Sequence, residues 1–254
     1  MPQTFPLTIV TGASRGLGAA LVRQCLQRRH TVIGVARTSE PALDEMAERE
    51  GAILHQWRFD LNEPERAAWP LLEWLQAQPG DRYPAVTLIN NAGYMAPLLP
   101  LSAQAPEDTG RALRVGLEAA MVLTGLFLRG TQSWTGARKV LNISSGLGQR
   151  PMASGAAYCA AKAGLDHFSR CVALEEAQRP NGARVVSLAP GVIDTDMQVQ
   201  LRQADPQAFP DQPSFARLHA HGQLLHPDDV ARCVMAWWER PDFGQNVVAD
   251  VRKP

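Results

Sequence analysis

Tyr158 and Lys162, four residues apart, are the pair of side chains in this sequence best suited to acid–base chemistry. The Ala-rich stretch that begins near Ala156 predicts a helix, on which this spacing places both side chains on one face, one turn apart. An ammonium ~4 Å from a phenol favours the phenolate by roughly 4 kcal/mol at an effective dielectric of ~20, which predicts a tyrosine pKa moved from ~10 towards ~7. Tyr158 is therefore a candidate general acid or base.

Ser145 lies thirteen residues before Tyr158 and directly follows a predicted strand over 139–143. At the end of that strand, its hydroxyl can hydrogen-bond the same substrate oxygen as the tyrosine. A Tyr-x3-Lys pair alone usually marks only a helix with a polar face. The combination of serine, tyrosine and lysine at a strand end and a helix start is far more specific.

Three glycines, Gly12, Gly16 and Gly18, follow the apolar run 7–11 and precede a segment with helical periodicity. This pattern predicts a strand, a tight glycine turn and a helix whose N-terminus can bind a phosphate. The same residues also read G-x-S-x-G around Ser14, as in serine hydrolases. That interpretation is disfavoured because a nucleophile elbow follows several earlier strands, and only eleven residues precede Gly12.

Strand-like segments alternate with helical ones along the rest of the chain. Strands are predicted at 31–35, 53–59, 85–89, 185–188 and 246–251, and helices after Glu63 and at 107–130, 156–176 and 227–238. This alternation predicts one α/β domain over 1–254, a Rossmann-type, doubly wound parallel sheet with helices on both faces. The segment 197–226 contains Pro and Asp and is predicted to be a mobile, loop-like cover over the substrate.

Ser145, Tyr158 and Lys162, taken with TGASRGLG at 11–18, NNAG at 90–93 and Pro190-Gly191, resemble the short-chain dehydrogenase/reductase family over essentially the whole chain. The runs at 142–145, 158–162, 173–176 and 189–197 are similar to the branch of sepiapterin reductases and bacterial benzil reductases. The resemblance implies an oxidoreductase acting on C=O and CH–OH groups. In such a reaction Tyr158 protonates the carbonyl oxygen, Ser145 orients it and Lys162 holds the cofactor ribose.

The resemblance also implies a nicotinamide cofactor. Arg37 stands where an NAD enzyme would carry an acid, and with Arg15 it offers bidentate donors to a 2′-phosphate, so NADP (NADPH) is expected. Asp60 matches the position that contacts the adenine and is also a candidate N-cap for the next helix. The implied cofactor contacts are Gly12, Ser14, Arg15, Gly16, Leu17, Gly18, Arg37, Asp60, Leu61, Asn91, Ala92, Gly93, Tyr158, Lys162, Pro190, Gly191, Ile193 and Thr195.

A small ketone or diketone, benzil-like or a pteridine side-chain ketone, is the substrate that this branch of the family implies. Ser145, Leu147, Tyr158 and Met197 are its expected contacts. In sepiapterin reductases an aspartate near the C-terminus anchors the pterin, and Asp250 is the nearest candidate here.

Gly116 departs from the family pattern, which has an asparagine in this helix that completes a proton relay to solvent. Glycine inside a helix costs about 1 kcal/mol relative to alanine, so its presence needs a reason. Either a water takes the place of the amide or the relay is weakened. The alternative function is therefore an NADP(H)-binding sensor or scaffold with little or no turnover.

Composition narrows the set of partners. The formal net charge is +0 and the pI is about 7.0, which does not favour nucleic acid or an anionic membrane surface as partners. No apolar run approaches the ~20 residues of a membrane span, and no signal peptide is seen. The four cysteines lack CxxC spacing, which indicates reduced thiols and a cytoplasmic protein.

Two further expectations concern metals and assembly. His219, His221 and His226 lack a Cys or acidic partner at ligand spacing, so no metal site is expected. The family resemblance implies a homodimer or homotetramer, paired through the helix that carries Tyr158 and the long helix before it.

Overall fold

A seven-stranded parallel sheet organises the structure, a computed structural model that describes residues 4–253. In space the strands follow the order β3-β2-β1-β4-β5-β6-β7, and every neighbouring pair is parallel. The predicted doubly wound sheet is confirmed. The strands are β1 (Leu7–Thr11), β2 (Thr31–Ala36), β3 (Ile53–Arg58), β4 (Ala85–Asn90), β5 (Ala137–Ile143), β6 (Arg184–Ala189) and β7 (Val248–Asp250).

Helices cover both faces of the sheet, and each face has its own apolar core. They are α1 (Gly16–Gln27), α2 (Pro41–Glu50), α3 (Glu65–Gln76), α4 (Pro106–Leu113), α5 (Ala119–Gly130), α6 (Ala156–Glu176), α7 (Asp196–Arg202), α8 (Gln212–Ala220) and α9 (Pro227–Trp238). One core contains Val10 and the apolar residues of α1, α2 and α9, and the other contains Ile9 and those of α3, α5 and α6. The central strands are apolar on both sides because both faces are buried.

Helix α2 is an element that the sequence analysis missed. It begins at Pro41, where the absent N–H of proline has no cost, and ends at Gly51, which adopts φ +62°. Leu43 and Met46 bury its inner face. The proline and glycine at its two ends were the available signal.

The predicted helix over 107–130 is interrupted. Between α4 and α5, residues Arg114–Glu118 form one π-helical turn, with Gly116 buried at its centre. A single π-helical turn inside a helix inserts an extra residue and often lies at a functional site.

The segment 197–226 is not the loop that its composition suggested, since it contains most of α7 and all of α8. Backbone carbonyls hold it in place: Gln200 Nε2 donates to the carbonyls of Met95 and Ala96 at 3.2 and 3.1 Å, and Ser154 Oγ donates to that of Ala208 at 2.5 Å. Over residues 4–253, none of the helices combines the length and the apolar character needed to cross a bilayer.

Candidate active site

The glycine turn between β1 and α1 lies where the strand order reverses, at the carboxyl end of the sheet. Gly12 and Gly16 adopt φ +67° and +54°, which favour glycine. A β-carbon on Gly18 would lie 2.0 Å from the carbonyl oxygen of Gly12, so only glycine fits there. Helix α1 begins without a side-chain cap, which leaves its first N–H groups available to a phosphate.

Asn91 connects the end of β4 to this glycine turn. Its side-chain amide donates to the Thr11 carbonyl at 2.9 Å, and the backbone N–H groups of Asn91 and Ala92 donate to Thr11 Oγ1 at 2.9 and 3.0 Å. Further along the same segment, a β-carbon on Gly93 would lie 3.8 Å from Lys162 Nζ. The sequence motif 90–93 therefore bridges the glycine turn and the lysine.

An open cavity beside the ends of β2 and β3 is lined by Arg37, Arg58, Phe59 and Asp60. Arg37 and Arg58 are both exposed, and within residues 4–253 neither forms an ion pair. Two guanidinium groups at one cavity can together hold a phosphate. Arg58 was missed from the sequence, because only the register of β2 and β3 brings it beside Arg37.

Two predicted cofactor residues have contacts within the protein. Arg15 pairs with Asp196 at 2.8 Å, but both partners are largely exposed and such a pair contributes little stability, so its contact with a 2′-phosphate stays a prediction. Asp60 does not cap the next helix, which begins five residues later, and instead accepts from the N–H of Asn62 at 2.9 Å. Leu61 is 5% exposed and belongs to the core, and Leu17 is likewise buried.

The turn after β6 lies opposite the glycine turn. Gly191, after Pro190, adopts φ +86°, and Ile193 forms a parallel bridge with Leu225. Thr195 is the N-cap residue of α7, and its Cγ2 would lie 3.4 Å from a β-carbon on Gly16. This turn and the glycine turn thus face each other, as binding of one dinucleotide by both would require. Ser14 lies in the glycine turn, and its Oγ accepts a hydrogen bond from Thr38 Oγ1 at 3.4 Å.

Ser145, Tyr158 and Lys162 come together where β5 ends and α6 begins. Ser145 is half-buried in extended backbone, and its hydroxyl accepts from the N–H of Leu147 at 3.2 Å. Tyr158 is 8% exposed and Lys162 3%. The lysine Nζ lies 5.7 Å from the tyrosine ring centroid and donates to the Ile143 carbonyl at 2.7 Å.

The predicted lowering of the tyrosine pKa is wrong for this structure. Burial raises the pKa of Tyr158 to about 12, while hydrogen bonding with the Ser145 side chain acts in the opposite direction. Burial also lowers the pKa of Lys162 to about 8, against the field of Asp166. Because Lys162 Nζ donates to a backbone carbonyl, the loss of solvation on burial is the main influence on the pKa of the Tyr158 phenol. Tyr158 is therefore a neutral phenol near pH 7, which is the form that donates a proton.

An apolar enclosure surrounds the tyrosine. It consists of Met95, Leu98, Leu147, Met152, Tyr158, Leu201 and Phe209, with Met197 and Phe215 packed against them. The rings of Phe209 and Phe215 stack at 5.6 Å between centroids. Methionine and phenylalanine side chains adapt well to flat aromatic groups. Leu147 and Met197, predicted as substrate contacts, both lie in this enclosure.

Asp250 is already engaged. Arg252 donates to both of its carboxylate oxygens, at 2.8 and 2.5 Å, and holds the pKa of Asp250 below its usual value. A pterin would have to compete with this bidentate pair for the carboxylate.

The three histidines of the predicted cover lie apart from any ligand cluster. His219 is on α8, His221 follows it, and His226 caps α9 through an acceptor contact with the N–H of Asp228 at 3.3 Å. In the described part of the chain, no group of three or more His, Cys, Asp or Glu side chains is placed to hold a metal ion.

Gly116 packs directly against α6. A β-carbon on it would lie 3.1 Å from the β-carbon of Ala161, the residue immediately before Lys162. Close packing against Ala161 is one physical reason for a glycine at this position. The two expectations for the relay, a water in place of the amide or a weakened relay, stay predictions.

The fold and the site define a Rossmann-type oxidoreductase with a serine, a tyrosine and a lysine at its centre. The chain belongs to the short-chain dehydrogenase family, whose model, described as short chain dehydrogenase, matches residues 6–206. Its relatives include a benzil reductase ((S)-benzoin forming) of Bacillus cereus, 35% identical over 94% of this chain and 96% of that protein. A sepiapterin reductase of Xenopus laevis is 31% identical over 79% of each chain.

Among solved structures, a metagenomic short-chain oxidoreductase in complex with NADP is 27% identical with a TM-score of 0.72. The match covers 96% of this chain and 94% of the other. Ketone reduction is consistent with these relatives, and the resemblance to benzil and sepiapterin reductases is confirmed.

Proposed function

We propose that this protein is an NADPH-dependent carbonyl reductase that reduces a small ketone or diketone, with Tyr158 as general acid. The observation that carries the proposal is a neutral, buried phenol inside an apolar enclosure, beside Ser145 and Lys162. Relatives named for benzil and sepiapterin reduction support the reaction class.

The residues present fit a dinucleotide. A β-carbon at Gly18 would clash with the Gly12 carbonyl, so glycine is needed for the tight turn, and the uncapped start of α1 suits the pyrophosphate. Arg37 and Arg58, without carboxylate partners in the described residues, suit the 2′-phosphate, and a related structure contains NADP. Lys162 and the turn at Pro190 and Gly191 would hold the nicotinamide half. When bound, the reduced nicotinamide supplies the hydride.

Each catalytic side chain has a separate role at the substrate oxygen. Ser145 donates a hydrogen bond that orients the carbonyl. Tyr158 gives its proton to the oxygen as negative charge develops there, which its raised pKa permits because the phenol stays protonated at neutral pH. The Lys162 ammonium then stabilises the negative charge left on the tyrosine oxygen.

The lining favours an aromatic ketone. Three methionines and two stacked phenylalanines belong to the apolar enclosure around Tyr158. An aromatic 1,2-diketone such as benzil suits this surface better than a pterin, because Asp250 is already paired with Arg252.

The assembly we propose is a homo-oligomer formed through α4, α5 and α6. Leu113, Met121 and Leu174 on these helices are 38%, 44% and 72% exposed. Large apolar side chains at such exposure on adjoining helices suit an isologous interface. Light scattering coupled to size exclusion should give a dimer or tetramer mass, and Leu174→Glu should lower it. A monomeric wild-type protein would contradict this assembly.

The test of the function is NADPH consumption with benzil, with sepiapterin and with a panel of aryl ketones. Tyr158→Phe should lower kcat by at least about 100-fold, as expected for loss of a general acid, while NADPH fluorescence titration still shows binding, weakened far less than kcat. Tyr83→Phe is the matched control, since Tyr83 is equally buried but stacks on Trp74 and Trp134 away from the site. Tight NADPH binding without turnover of any ketone would favour the sensor or scaffold.

A further inference from the structure

A buried carboxylate lies one helical turn after Lys162 on α6. Asp166 is 3% exposed, and its Oδ1 accepts hydrogen bonds from Ser144 Oγ at 2.5 Å and Ser187 Oγ at 2.6 Å. Burying a carboxylate costs free energy, so the presence of one at this position needs a structural or functional reason. The roles assigned above to Ser145, Tyr158 and Lys162 do not use it.

The two serines connect Asp166 to the strands that carry the site. Ser144 immediately precedes Ser145 at the end of β5, and Ser187 lies opposite on β6. The loop after Ser145 also packs at this point, because a β-carbon on Gly148 would lie 2.9 Å from Asp166 Oδ2 and 3.1 Å from the Lys162 carbonyl oxygen. Asp166 thus joins the serine-bearing strand end to the helix that carries Tyr158 and Lys162.

Asp166 is also the charged group that acts on Lys162. The lysine forms no ion pair in residues 4–253 and donates to the Ile143 carbonyl, while the field of Asp166 favours its protonated form. Tyr158, the other titratable group at the lysine, is neutral up to about pH 12. A negative charge one turn away on a buried helix face is weakly screened.

The remaining charged groups on the elements packed against α6 are engaged elsewhere or exposed. Asp108 and Arg111 contact Tyr94, Arg114 bonds Asn62, Arg184 bonds the Pro241 carbonyl, Asp250 pairs with Arg252, and Glu107 and Glu118 are exposed.

We propose that Asp166 is a positioning residue for the reaction: it fixes Ser145 against Tyr158 and Lys162 and supplies the negative charge that keeps Lys162 an ammonium. This inference rests on the proposed function of the same site. It separates two contributions, a geometric one through the serine hydroxyls and an electrostatic one through the carboxylate charge.

Asp166→Asn tests the charge alone, because the amide oxygen can still accept from both serines. We expect kcat/KM for the ketone to change by less than about twofold at pH 6 and to fall about tenfold at pH 8, since its alkaline limb moves to lower pH. Asp166→Ala removes both contributions and should lower kcat at every pH and raise the ketone KM.

Glu176→Gln is the matched control. Glu176 is also a buried carboxylate on α6, but it pairs with Arg138 at 3.4 Å, far along the helix from Lys162. This variant should lower the melting temperature yet leave the pH profile in place. Superimposable profiles for Asp166→Asn and wild type, or an equal displacement in Glu176→Gln, would overturn the proposal.

A second readout does not depend on turnover. The Lys162 side chain can be titrated by NMR with carbon-labelled lysine, its signal assigned by its absence in Lys162→Arg. The titration midpoint should be lower in Asp166→Asn than in wild type, and equal midpoints would contradict the electrostatic role. If wild type reduces no ketone but the midpoint moves, the proposed function fails while the charge contribution of Asp166 holds.

Discussion

Gly116 and Ala161 approach so closely that a β-carbon on the glycine would lie 3.1 Å from that of the alanine. Gly116→Ala should therefore destabilise the protein, since overpacking of about 1–3 kcal/mol outweighs the roughly 1 kcal/mol that alanine gains over glycine in a helix. Ala161→Gly makes room, so the double variant should recover at least about 1 kcal/mol relative to the sum of the single changes. Urea unfolding measures each value.

Gly125→Ala is the control for this cycle, because on α5 a β-carbon there meets nothing within 4 Å. It should stabilise the protein by up to about 1 kcal/mol. Additive effects of the changes at 116 and 161 would show that the two helices do not approach as described.

The charge of Arg37 and Arg58 should determine the choice of cofactor. Replacing either with alanine should raise the KM for NADPH about 10- to 100-fold, because each charge-assisted hydrogen bond contributes roughly 1.5–3 kcal/mol, and leave the KM for NADH little changed. Steady-state kinetics with the two cofactors measures this. Arg49→Ala, an exposed arginine on α2, is the control. Equal losses for both cofactors would argue against a 2′-phosphate site at this cavity.

Lys162 should set the alkaline limit of activity. Its pKa is lowered to about 8 by burial, so the ammonium is present below that pH and is lost above it, whereas Tyr158 stays protonated to about pH 12. The kcat/KM for ketone reduction should thus fall as pH rises through about 8. In Lys162→Arg this limb should disappear, since arginine keeps its charge. A limb near pH 8 that persists in the arginine variant would point to a different group.

His30 should make the fold sensitive to acid. Burial lowers its pKa from 6.5 to about 4, and its Nδ1 lies 2.9 Å from Thr8 Oγ1. Between pH 4 and 6.5 the unfolded chain binds more protons at this histidine than the folded protein does. The contribution of His30 to the free energy of unfolding is therefore fully present above about pH 6.5 and decreases as the pH falls towards 4. At pH 5 the loss should be about 2 kcal/mol relative to pH 7.5. Urea unfolding of wild type should show it, and His30→Gln should reduce it.

Local sequence determines much of this site. The spacing of Tyr158 and Lys162 fixes their common face once α6 forms, and the glycines at 12, 16 and 18 specify a turn that favours glycine at two positions and has no space for a side chain at the third. The parallel, doubly wound sheet also followed from the alternation of apolar runs and helices, because parallel connections leave few topologies.

Other features depend on contacts between distant segments and could not be predicted. The phenol pKa rises because residues of α7 and of the chain near Phe209 bury Tyr158, and neither is near it in sequence. Arg58 faces Arg37 only through the β2–β3 register, and Asp166 gains its partners from two separate strands. The close approach of Ala161 to Gly116 likewise depends on how α6 packs, whereas the effect of this glycine on the proton relay stays a prediction.

The cover over Tyr158 is attached through main-chain carbonyls at Met95, Ala96 and Ala208, whereas its inward surface is made of Met197, Phe209 and Phe215. The attachment of the cover and its apolar lining thus depend on different residues. Natural drift or directed evolution can exchange the inward side chains for others of similar volume while the anchoring bonds persist. Under the proposed function, library mutagenesis at those three positions is the direct way to change which ketones the protein accepts.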